Sequence, residues 1–403
     1  VRALKDEEAG DKICDLCASF DHEIGARLPD ARFAVLWLGA AQPRPKGSAA
    51  DALAELGTAV QFVNGDKKAL LTPPANFSTC QRAVVWAFDD VGPGEWPTVQ
   101  GIPSVHSLRY TLAKTPPGTF DELEKKGQGI DRLGVLRMDM DNAGRLFQEG
   151  FGKGEKSAAS LARISTLSFQ LSLFFEGWLK RIGEDYPDLY AVYSGGDDLF
   201  LIAPWQQVPE LAQQIVKDFG EYTGANPDLH ISGGMTFIHG KYPIYQAAAD
   251  AGEALDTAKD LEGKNAFTFL DDPWHWPAFN ALQKKTDALV NIVTPKDQGG
   301  LEGPKSLLTE LRTLADMEQK AVKKVGRPVW GRWMWMGDYQ ITRMLERAKS
   351  KPELAAALNS LLSDLRPLYQ NIHAWGTAAR WAQLLTREKK NDSDKNKPNH
   401  KGG

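Results

Sequence analysis

Four aspartates in two short stretches have the residue types and spacing of a divalent-metal site. Asp139 and Asp141 (the first acidic pair) lie in DRLGVLRMDMDN, and Asp197 and Asp198 (the second acidic pair) lie in YAVYSGGDDLFLIA. Residues two apart on a strand face the same side, so the carboxylates of the first pair can converge on one point. Mg²⁺ and Mn²⁺ prefer such oxygen ligands and complete their shell with water and substrate phosphate. We therefore predict a Mg²⁺ or Mn²⁺ site on these four residues, an arrangement that suits nucleotidyl transfer.

Short apolar runs predict the strands that hold the two acidic pairs. Leu133–Met138 indicates a buried strand that ends at the first pair. Tyr190–Tyr193 and Leu199–Ala203 indicate a hairpin, with Ser194–Gly196 and both aspartates of the second pair on its turn. Two simpler interpretations stay open. The second pair could mark an ordinary hairpin turn, and the Asp-Asn sequence that ends in Asn142 could cap the next helix.

The order of elements around both pairs predicts the fold. Apolar residues spaced three and four apart predict helices, and short apolar runs predict strands. After the first strand come a helix at 157–182, the hairpin, a helix at 209–222, a strand at 229–237, a helix at 244–259 and a strand at 266–270. This β-α-β-β-α-β order, with one added helix and strand, predicts a ferredoxin-like palm sheet with both acidic pairs at strand ends on one rim.

Three stretches resemble a known family. RMDMDNAGRLFQEGF, VYSGGDDLFLIAPW and the pattern AxxALxxAKxxxGKN at 251–265 resemble GGDEF-type nucleotide cyclases and, more closely, the large cyclase-bearing subunit of type III-A CRISPR (Csm) effector complexes. GGDEF enzymes have Glu and Phe at the positions that Asp198 and Leu199 occupy in this sequence. At these two positions the sequence agrees with the CRISPR subunit. The resemblance is specific over residues 126–275. It implies an α+β fold with a ferredoxin-like, GGDEF-cyclase-like palm, an N-terminal loop-rich α/β module and a C-terminal helical bundle.

The resemblance also implies a reaction. ATP would be converted to 3′-5′ cyclic oligoadenylates by metal-dependent nucleotidyl transfer when target RNA is bound, in antiviral defence, with Asp197 and Asp198 as catalytic residues. Lys259 would contact nucleotide phosphates and Lys264 is a second candidate, although a solvated lysine near a helix C-terminus is the alternative. Backbone amides that follow Asp141 would cradle phosphates. The expected ATP-binding residues are Asn142, Gly144, Ser194, Gly195, Gly196, Lys259 and Lys264.

Partners follow from the same resemblance. The small subunit and the subunit that binds the 5′ end of the crRNA would contact the chain, and crRNA and target RNA would be reached through the complex. The sequence has one DxD and GGDD set, so a second ATP would need a first palm domain on a missing segment or a separate chain. The family's nuclease domain uses a paired His-Asp motif, and no His-Asp dipeptide occurs here. We expect the C-terminal part of such a subunit, without that DNase.

Two other functions stay open. A diguanylate-cyclase-like enzyme would use GTP, but Asp198 in place of Glu and the lack of a PAS, receiver or coiled-coil input segment argue against it. A catalytically weak scaffold subunit of the ribonucleoprotein is the second alternative. The intact acidic set argues against catalytic silence, whereas the lack of a partner palm in this sequence argues for weak intrinsic activity.

Composition narrows the class of protein. The 403 residues carry a net charge of −4, so the chain is not a generally basic nucleic-acid binder. No apolar stretch approaches the length of about 18 residues that a membrane span needs, and no signal peptide is visible, so we expect a cytoplasmic protein without membrane contact.

Cys14 and Cys17 form a Cys-x-x-Cys pair, half of a typical zinc site. Zn²⁺ binding and two free thiols both stay open.

We divide the chain into four parts. Residues 1–125 form a linker module that includes the Cys-x-x-Cys pair, and residues 126–275 form the GGDD palm. A helical bundle follows at 276–390 and a disordered tail at 391–403. The predicted bundle helices lie at 277–292, 305–323, 333–349, 352–364 and 366–388. We expect five tryptophans to lie in the bundle core rather than on a base-stacking surface: Trp330, Trp333, Trp335, Trp375 and Trp381. A basic cluster could be a solvated face or lie near RNA: Lys320, Lys323, Lys324, Arg327 and Arg332.

Overall fold

The chain divides into two compact units. The computed structural model describes residues 15–28, 31–40, 47–64, 70–75, 79–88, 91–92, 94–108, 118–152, 158–325, 331–366 and 371–389. Unit 1 comprises Val1–Thr115, Ser165–Asp185 and Ala191–Gly196, and unit 2 comprises Pro116–Ile164, Tyr186–Tyr190 and Asp197–Gly403. Four predictions concern residues outside the described ranges: those for Cys14, Arg327, Trp330 and the tail at 391–403.

Twelve strands and thirteen α-helices are formed by the described residues. The strands are β1 (Phe33–Ala40), β2 (Thr58–Val63), β3 (Leu70–Leu71), β4 (Thr79–Ala87), β5 (Thr98–Val99), β6 (Ser104–Leu108), β7 (Leu133–Met140), β8 (Tyr190–Gly195), β9 (Asp198–Pro204), β10 (Ile231–Ile238), β11 (Ala266–Phe269) and β12 (Asp272–His275). The helices are α1 (Asp15–Ser19), α2 (Ala49–Glu55), α3 (Phe120–Glu124), α4 (Ala143–Glu149), α5 (Leu161–Ser172), α6 (Leu179–Glu184), α7 (Val208–Tyr222), α8 (Ile244–Lys259), α9 (Trp276–Val293), α10 (Ser306–Val325), α11 (Arg332–Arg347), α12 (Pro352–Leu365) and α13 (Ile372–Leu385).

Unit 1 is built on a four-stranded sheet with the order β2-β1-β4-β6. β1 pairs antiparallel with β2 and β4, and β4 pairs parallel with β6. Phe33, Val35 and Trp37 alternate along β1 and enter one core with Val85 of β4. This period of two places every second side chain on the same face, which is why the apolar runs of the N-terminal region form strands.

The helix predicted at 157–182 is not a single α-helix. Residues 158–160 are not helical, α5 begins at Leu161, and a π-helical segment, Leu173–Trp178, separates α5 from α6. A π-turn adds a residue to the helical repeat and rotates the side chains that follow it. Within this segment Phe174 and Phe175 are fully buried, whereas Phe169, five residues before Phe174, is exposed.

The palm sheet of unit 2 contains strands in the order β12-β11-β10-β7-β9. β7 is antiparallel to both β9 and β10, β10 is parallel to β11, and β11 is antiparallel to β12. β7 lies between two neighbours and its apolar side chains are almost wholly buried, as the continuous apolar run predicts. The α+β fold with a palm is therefore confirmed.

Helix α8 packs very closely on β10. A Cβ atom at Gly234 would clash with the backbone of Ala254 and Leu255 in α8. On the same side of the sheet, Leu133, Val135 and Ile202 form a core with Ala247 and Ala251 of α8. Small residues on both elements bring helix and sheet together, and this places the end of α8 at the rim of the sheet.

The second acidic pair is not wholly on a turn. β8 ends at Gly195 and β9 begins at Asp198, so that the turn consists of Gly196 and Asp197. Gly196 has φ +68°, a conformation that L side chains rarely adopt. Asp198 is the first residue of a strand, and its position is set by strand register.

The C-terminal region is helical, as predicted. The bounds of α9 to α12 lie within two residues of the predicted ones, and α13 is shorter than the predicted helix at 366–388. Trp333, Trp375 and Trp381 are buried, but Trp335 is 60% exposed, so the core prediction was wrong for Trp335. Trp381 packs on Phe269 of β11 with ring centroids 4.6 Å apart, which joins the helices to the palm sheet. No helix in the described ranges is long and apolar enough to cross a membrane.

Candidate active site

Two of the predicted aspartates lie directly opposite each other on neighbouring strands. The antiparallel register of β7 and β9 pairs Asp139 with Asp198. The amide of Met140 donates to the carbonyl of Asp197 at 2.8 Å, so that Asp197 is tied to the end of β7. The side chains of Asp139 and Asp198 are 26% and 27% exposed at this end of an otherwise buried strand pair. The register therefore brings one carboxylate from each acidic pair to an open rim.

Two cationic side chains offset these carboxylates. The ammonium group of Lys259, the last residue of α8, donates to Oδ2 of Asp139. Nη2 of Arg137 lies 4.0 Å from Oδ2 of Asp198. Burial lowers the pKa of Lys259, and the charges of Lys264 and Arg137 lower it further. The rim is thus a compact group of two carboxylates and two cations, the charge pattern of a site for a polyphosphate with a metal ion.

The sequence analysis did not identify Arg137 as a candidate site residue. It lies two residues before Asp139, so both side chains occupy the same face of β7. A polar residue at that spacing within an apolar run is the signal that could have identified it.

Asp141 occupies a buried polar network. Its Oδ2 accepts from Ser232 Oγ at 2.7 Å and from the amide of Asn265 at 3.1 Å, and Nδ1 of His230 lies 2.6 Å away. Its Oδ1 is buried without a hydrogen-bond partner among the described residues. Asp141 therefore joins the ends of β7 and β10 to the loop before β11 and leaves one oxygen unused.

The loop that Asp141 holds also carries Lys264. Nζ of Lys264 donates to Oδ1 of Asn142 at 2.9 Å. Lys264, Asn265 and Asn142 all have positive φ angles, of 53°, 50° and 57°. Asn142 occupies the N-cap position of α4 but makes no capping hydrogen bond through its side chain. Gly144 lies in the first turn of α4, is exposed, and has open space where a Cβ would be. The structure therefore brings together Asn142 and Lys264 at the same strand ends.

Ser194, Gly195 and Gly196 belong to unit 1, whereas the rim residues belong to unit 2. The hydroxyl of Ser194 donates to the carbonyl of Phe175, and the hydroxyl of Tyr193 donates to the carbonyl of Gly195 at 3.0 Å. Ser194 thus has a protein partner within its own unit.

Cys17 lies in α1, but Cys14 is outside the described residues, so the structure does not show the zinc pair.

The residues at the rim fit a hard divalent cation. In the parts of the chain that the structure describes, no three His, Cys, Asp or Glu side chains form a ready metal site. Asp139 and Asp198 nevertheless face each other in register, and Oδ1 of Asp141 is an unpartnered buried oxygen. An all-oxygen set with few protein ligands is typical of Mg²⁺ sites, in which water and substrate phosphate supply the remaining ligands.

The known proteins that this chain resembles include Cas10/Cmr2 and Cas10/Csm1 proteins. A profile of the second palm domain of Cas10/Cmr2 matches residues 132–268. Three curated relatives are described as the CRISPR system single-strand-specific deoxyribonuclease Cas10/Csm1 of subtype III-A. They are 33% identical over 183 residues (Methanocaldococcus jannaschii), 28% over 288 (Thermococcus onnurineus) and 31% over 240 (Mycobacterium tuberculosis). The alignments cover 39%, 63% and 56% of this chain but only 22%, 34% and 28% of the relatives.

Solved structures show the same fold. Csm1 of T. onnurineus aligns with a TM-score of 0.55 and 26% identity over 78% of this chain and 46% of its own. Csm1–Csm4 cassettes in complex with one ATP and with cA4 align with TM-scores of 0.61 and 0.59 at 22% and 23% identity. These two alignments cover 90% and 87% of this chain and 49% and 48% of the cassette chains.

Proposed function

We propose that this chain, whose residues 132–268 match the second palm domain of Cas10/Cmr2, is a nucleotidyl cyclase subunit of a type III CRISPR effector complex. It would convert ATP to 3′-5′ cyclic oligoadenylates when the complex binds target RNA. Csm1–Csm4 structures with ATP and with cA4 support this class of substrate and product. The relatives extend well beyond the matched region, so the proposal concerns nucleotidyl transfer by the palm.

The main observation behind the proposal is that Asp139 and Asp198 lie opposite each other on β7 and β9, beside Lys259. Two carboxylates placed opposite each other on strand ends repel, and Lys259 and Arg137 offset this repulsion in the structure. A divalent cation would offset it when Lys259 turns to a phosphate group. When Mg²⁺ or Mn²⁺ is bound, it would be held by Asp139, Asp197 and Asp198, with Oδ1 of Asp141 as a further donor. It would lower the pKa of the attacking hydroxyl and offset charge on the phosphoryl oxygens.

The lysines would bind the triphosphate. Lys259 now pairs with Asp139, and Lys264 with the amide oxygen of Asn142. A triphosphate carries more negative charge than either partner, so both ammonium groups would turn to it on binding. Arg137 would keep Asp198 oriented from the next strand.

The reaction itself requires two nucleotides in line. The 3′-hydroxyl of one ATP attacks the α-phosphate of another, the bond to pyrophosphate breaks, and a 3′-5′ phosphodiester forms as the hydroxyl proton is released to solvent. Positioning supplies most of the rate in such transfers. We propose that a first palm domain, on another segment or chain, holds the second ATP. We further propose that a Csm4-like subunit and the small subunit join this chain, and that crRNA and target RNA are bound through the assembly.

The proposal is tested by product formation from ATP or GTP with Mg²⁺ or Mn²⁺, by the chain alone and in the reconstituted complex with target RNA. We expect oligoadenylates from ATP that disappear when Asp197→Ala and Asp198→Ala are combined. Asp188→Asn is the matched control, since Asp188 pairs with Lys126 away from the rim. Products from GTP alone would identify a diguanylate-cyclase-like enzyme. Normal complex assembly without any product would leave a scaffold subunit and overturn the proposal.

A further inference from the structure

Helices α10 and α13 pack against each other and border a cavity of about 510 Å³. Arg312 of α10, Arg380 of α13 and Arg387, two residues beyond α13, all line it. Two further cavities, of about 250 and 560 Å³, share Arg380 as a lining residue. Three guanidinium groups therefore converge on one concave surface of unit 2.

These three arginines have no acidic partner among the described residues. Nη1 of Arg312 donates to the uncharged Oε1 of Gln383 at 2.6 Å. Glu388 also lines the cavity, but Nζ of Lys305 already binds its Oε1 at 3.0 Å. The arginines therefore form no ion pair within the described part of the chain.

Their proximity carries a cost in free energy. Burial lowers the pKa of Arg380, and the neighbouring charges of Arg312 and Arg387 lower it further. Like charges at short range destabilise one another unless an opposite charge lies between them. An anion in the cavity would remove this repulsion and would satisfy the free guanidinium donors at the same time.

The geometry favours phosphate over other anions. The planar guanidinium fork matches two oxygens of a phosphate group, and several forks can bind different oxygens of the same group. Hydroxyl groups of Ser306 and Thr309 line the same cavity and are additional donors. Its volume lies within the range of about 300–1,000 Å³ that is typical of small-molecule sites. The two other cavities are lined by aspartates, Asp272 and Asp316 in the smaller one and Asp131 and Asp271 in the larger one, which makes both less suitable for an anion.

We propose that Arg312, Arg380 and Arg387 form a phosphate-binding site between α10 and α13, separate from the palm rim. Its ligand is a phosphate group, carried either by a free nucleotide or pyrophosphate or by the backbone of an RNA strand. The proposal does not depend on the cyclase reaction, because it concerns binding at helices that contribute no residue to the predicted metal and ATP site.

The test is calorimetric titration of the full chain with pyrophosphate, ATP and a short single-stranded oligoadenylate. EDTA is present throughout, so that metal-dependent binding at the rim is suppressed. We expect at least one phosphate probe to bind. We expect Arg380→Gln and Arg387→Gln each to weaken that binding about tenfold, as loss of a charge-assisted hydrogen bond predicts. Lysine at either position should restore part of the affinity, because it keeps the charge but not the fork.

The matched control is Arg347→Gln, which removes the same charge from an exposed position on α11 and should leave binding unchanged. Arg387 is exposed and makes no ion pair or hydrogen bond with the described residues, so its substitution should also leave the thermal unfolding temperature unchanged. Binding of pyrophosphate or ATP identifies a free nucleotide ligand, and binding of the oligoadenylate alone, with a steep salt dependence, identifies an RNA strand. Absence of binding by every phosphate probe, or wild-type affinity in the arginine variants, would overturn the proposal.

Discussion

Lys259 and Asp139 form an ion pair although 120 residues separate them in the chain. The pair joins the last residue of α8 to a strand end in the centre of the palm sheet. In the absence of nucleotide, each residue thus offsets the charge of the other. Binding of the proposed metal ion and triphosphate would separate them, because each ligand attracts one partner.

This ion pair predicts different kinetic effects for its two members. Lys259→Ala should raise the KM for ATP about tenfold, since one charge-assisted contact to phosphate is lost. Asp139→Asn should lower kcat about a hundredfold or more with a smaller change in KM, because it removes a proposed metal ligand from the reaction centre. Steady-state rates with ATP in the assembled complex measure both effects. Lys241→Ala, which alters an exposed lysine with a weak partner, should leave both constants unchanged.

A lower kcat with unchanged KM for Lys259→Ala would contradict the phosphate-binding role. In that case Lys259 would act in the chemical step instead. Lys259→Arg distinguishes the two roles further, since a retained charge should preserve most of the affinity for ATP.

Asp141 should contribute to stability more than the rim carboxylates do. Asp141→Ala leaves Ser232, His230 and the amide of Asn265 without their buried acceptor. The free energy of unfolding should fall by about 2–4 kcal/mol, the cost of stranding several buried polar groups. Urea unfolding monitored by circular dichroism measures this change. Asp198→Asn, at the open rim, should alter stability by less than about 1 kcal/mol. Equal losses in the two variants would show that the network around Asp141 is not structural.

Two glycines should respond in opposite directions to alanine. Gly234→Ala should destabilise the palm by about 3 kcal/mol or more, because the new Cβ would clash with the backbone of α8. Gly220→Ala, inside α7, meets no atom within 4 Å and should raise stability by about 0.5–1 kcal/mol through helix propensity. Thermal unfolding of the two variants tests the pair. A stable Gly234→Ala protein would mean that α8 and β10 do not pack this closely.

Asp364 should make the helical region sensitive to acid. Burial raises the pKa of Asp364, but hydrogen bonds from Lys285 and Trp375 outweigh burial and bring the pKa below its usual 3.8. A carboxylate with a depressed folded pKa stabilises the fold fully above its unfolded pKa, and this stabilisation is lost as the pH falls through the folded pKa. Asp364 is 41% exposed, so its ion pair with Lys285 is weakened by solvent and should contribute less than about 1 kcal/mol.

The matched comparison for this effect is Asp364→Asn. The wild type should be more stable than this variant at pH 6, and the difference should disappear as the pH falls from 4 to 2. Unfolding free energies measured across this range provide the test. A difference that stays constant with pH would assign the effect to packing of Trp375 rather than to the charge of Asp364.

The sequence by itself determined the acidic residues, the strands that carry them and the helices of the C-terminal region. These features follow from local rules, because the apolar run of β7 and the apolar spacing in α9 to α12 are visible in consecutive residues. The family could be recognised for the same reason, since the palm motifs are contiguous stretches. The positions of Asp139 at the end of β7 and of Asp197 on the hairpin turn needed no tertiary information.

Only the tertiary structure decided which side chains meet. Asp198 opposes Asp139 because of the register between β7 and β9, and Asp141 meets Ser232 because β10 lies on the other side of β7. Such pairs are 59 and 91 positions apart in the sequence, and local patterns contain no information on strand order at that distance. The exposure of Trp335 has the same origin, since burial depends on which face of α11 other helices cover. The three arginines at α10 and α13 are likewise unremarkable in sequence, and only helix packing places them around one cavity.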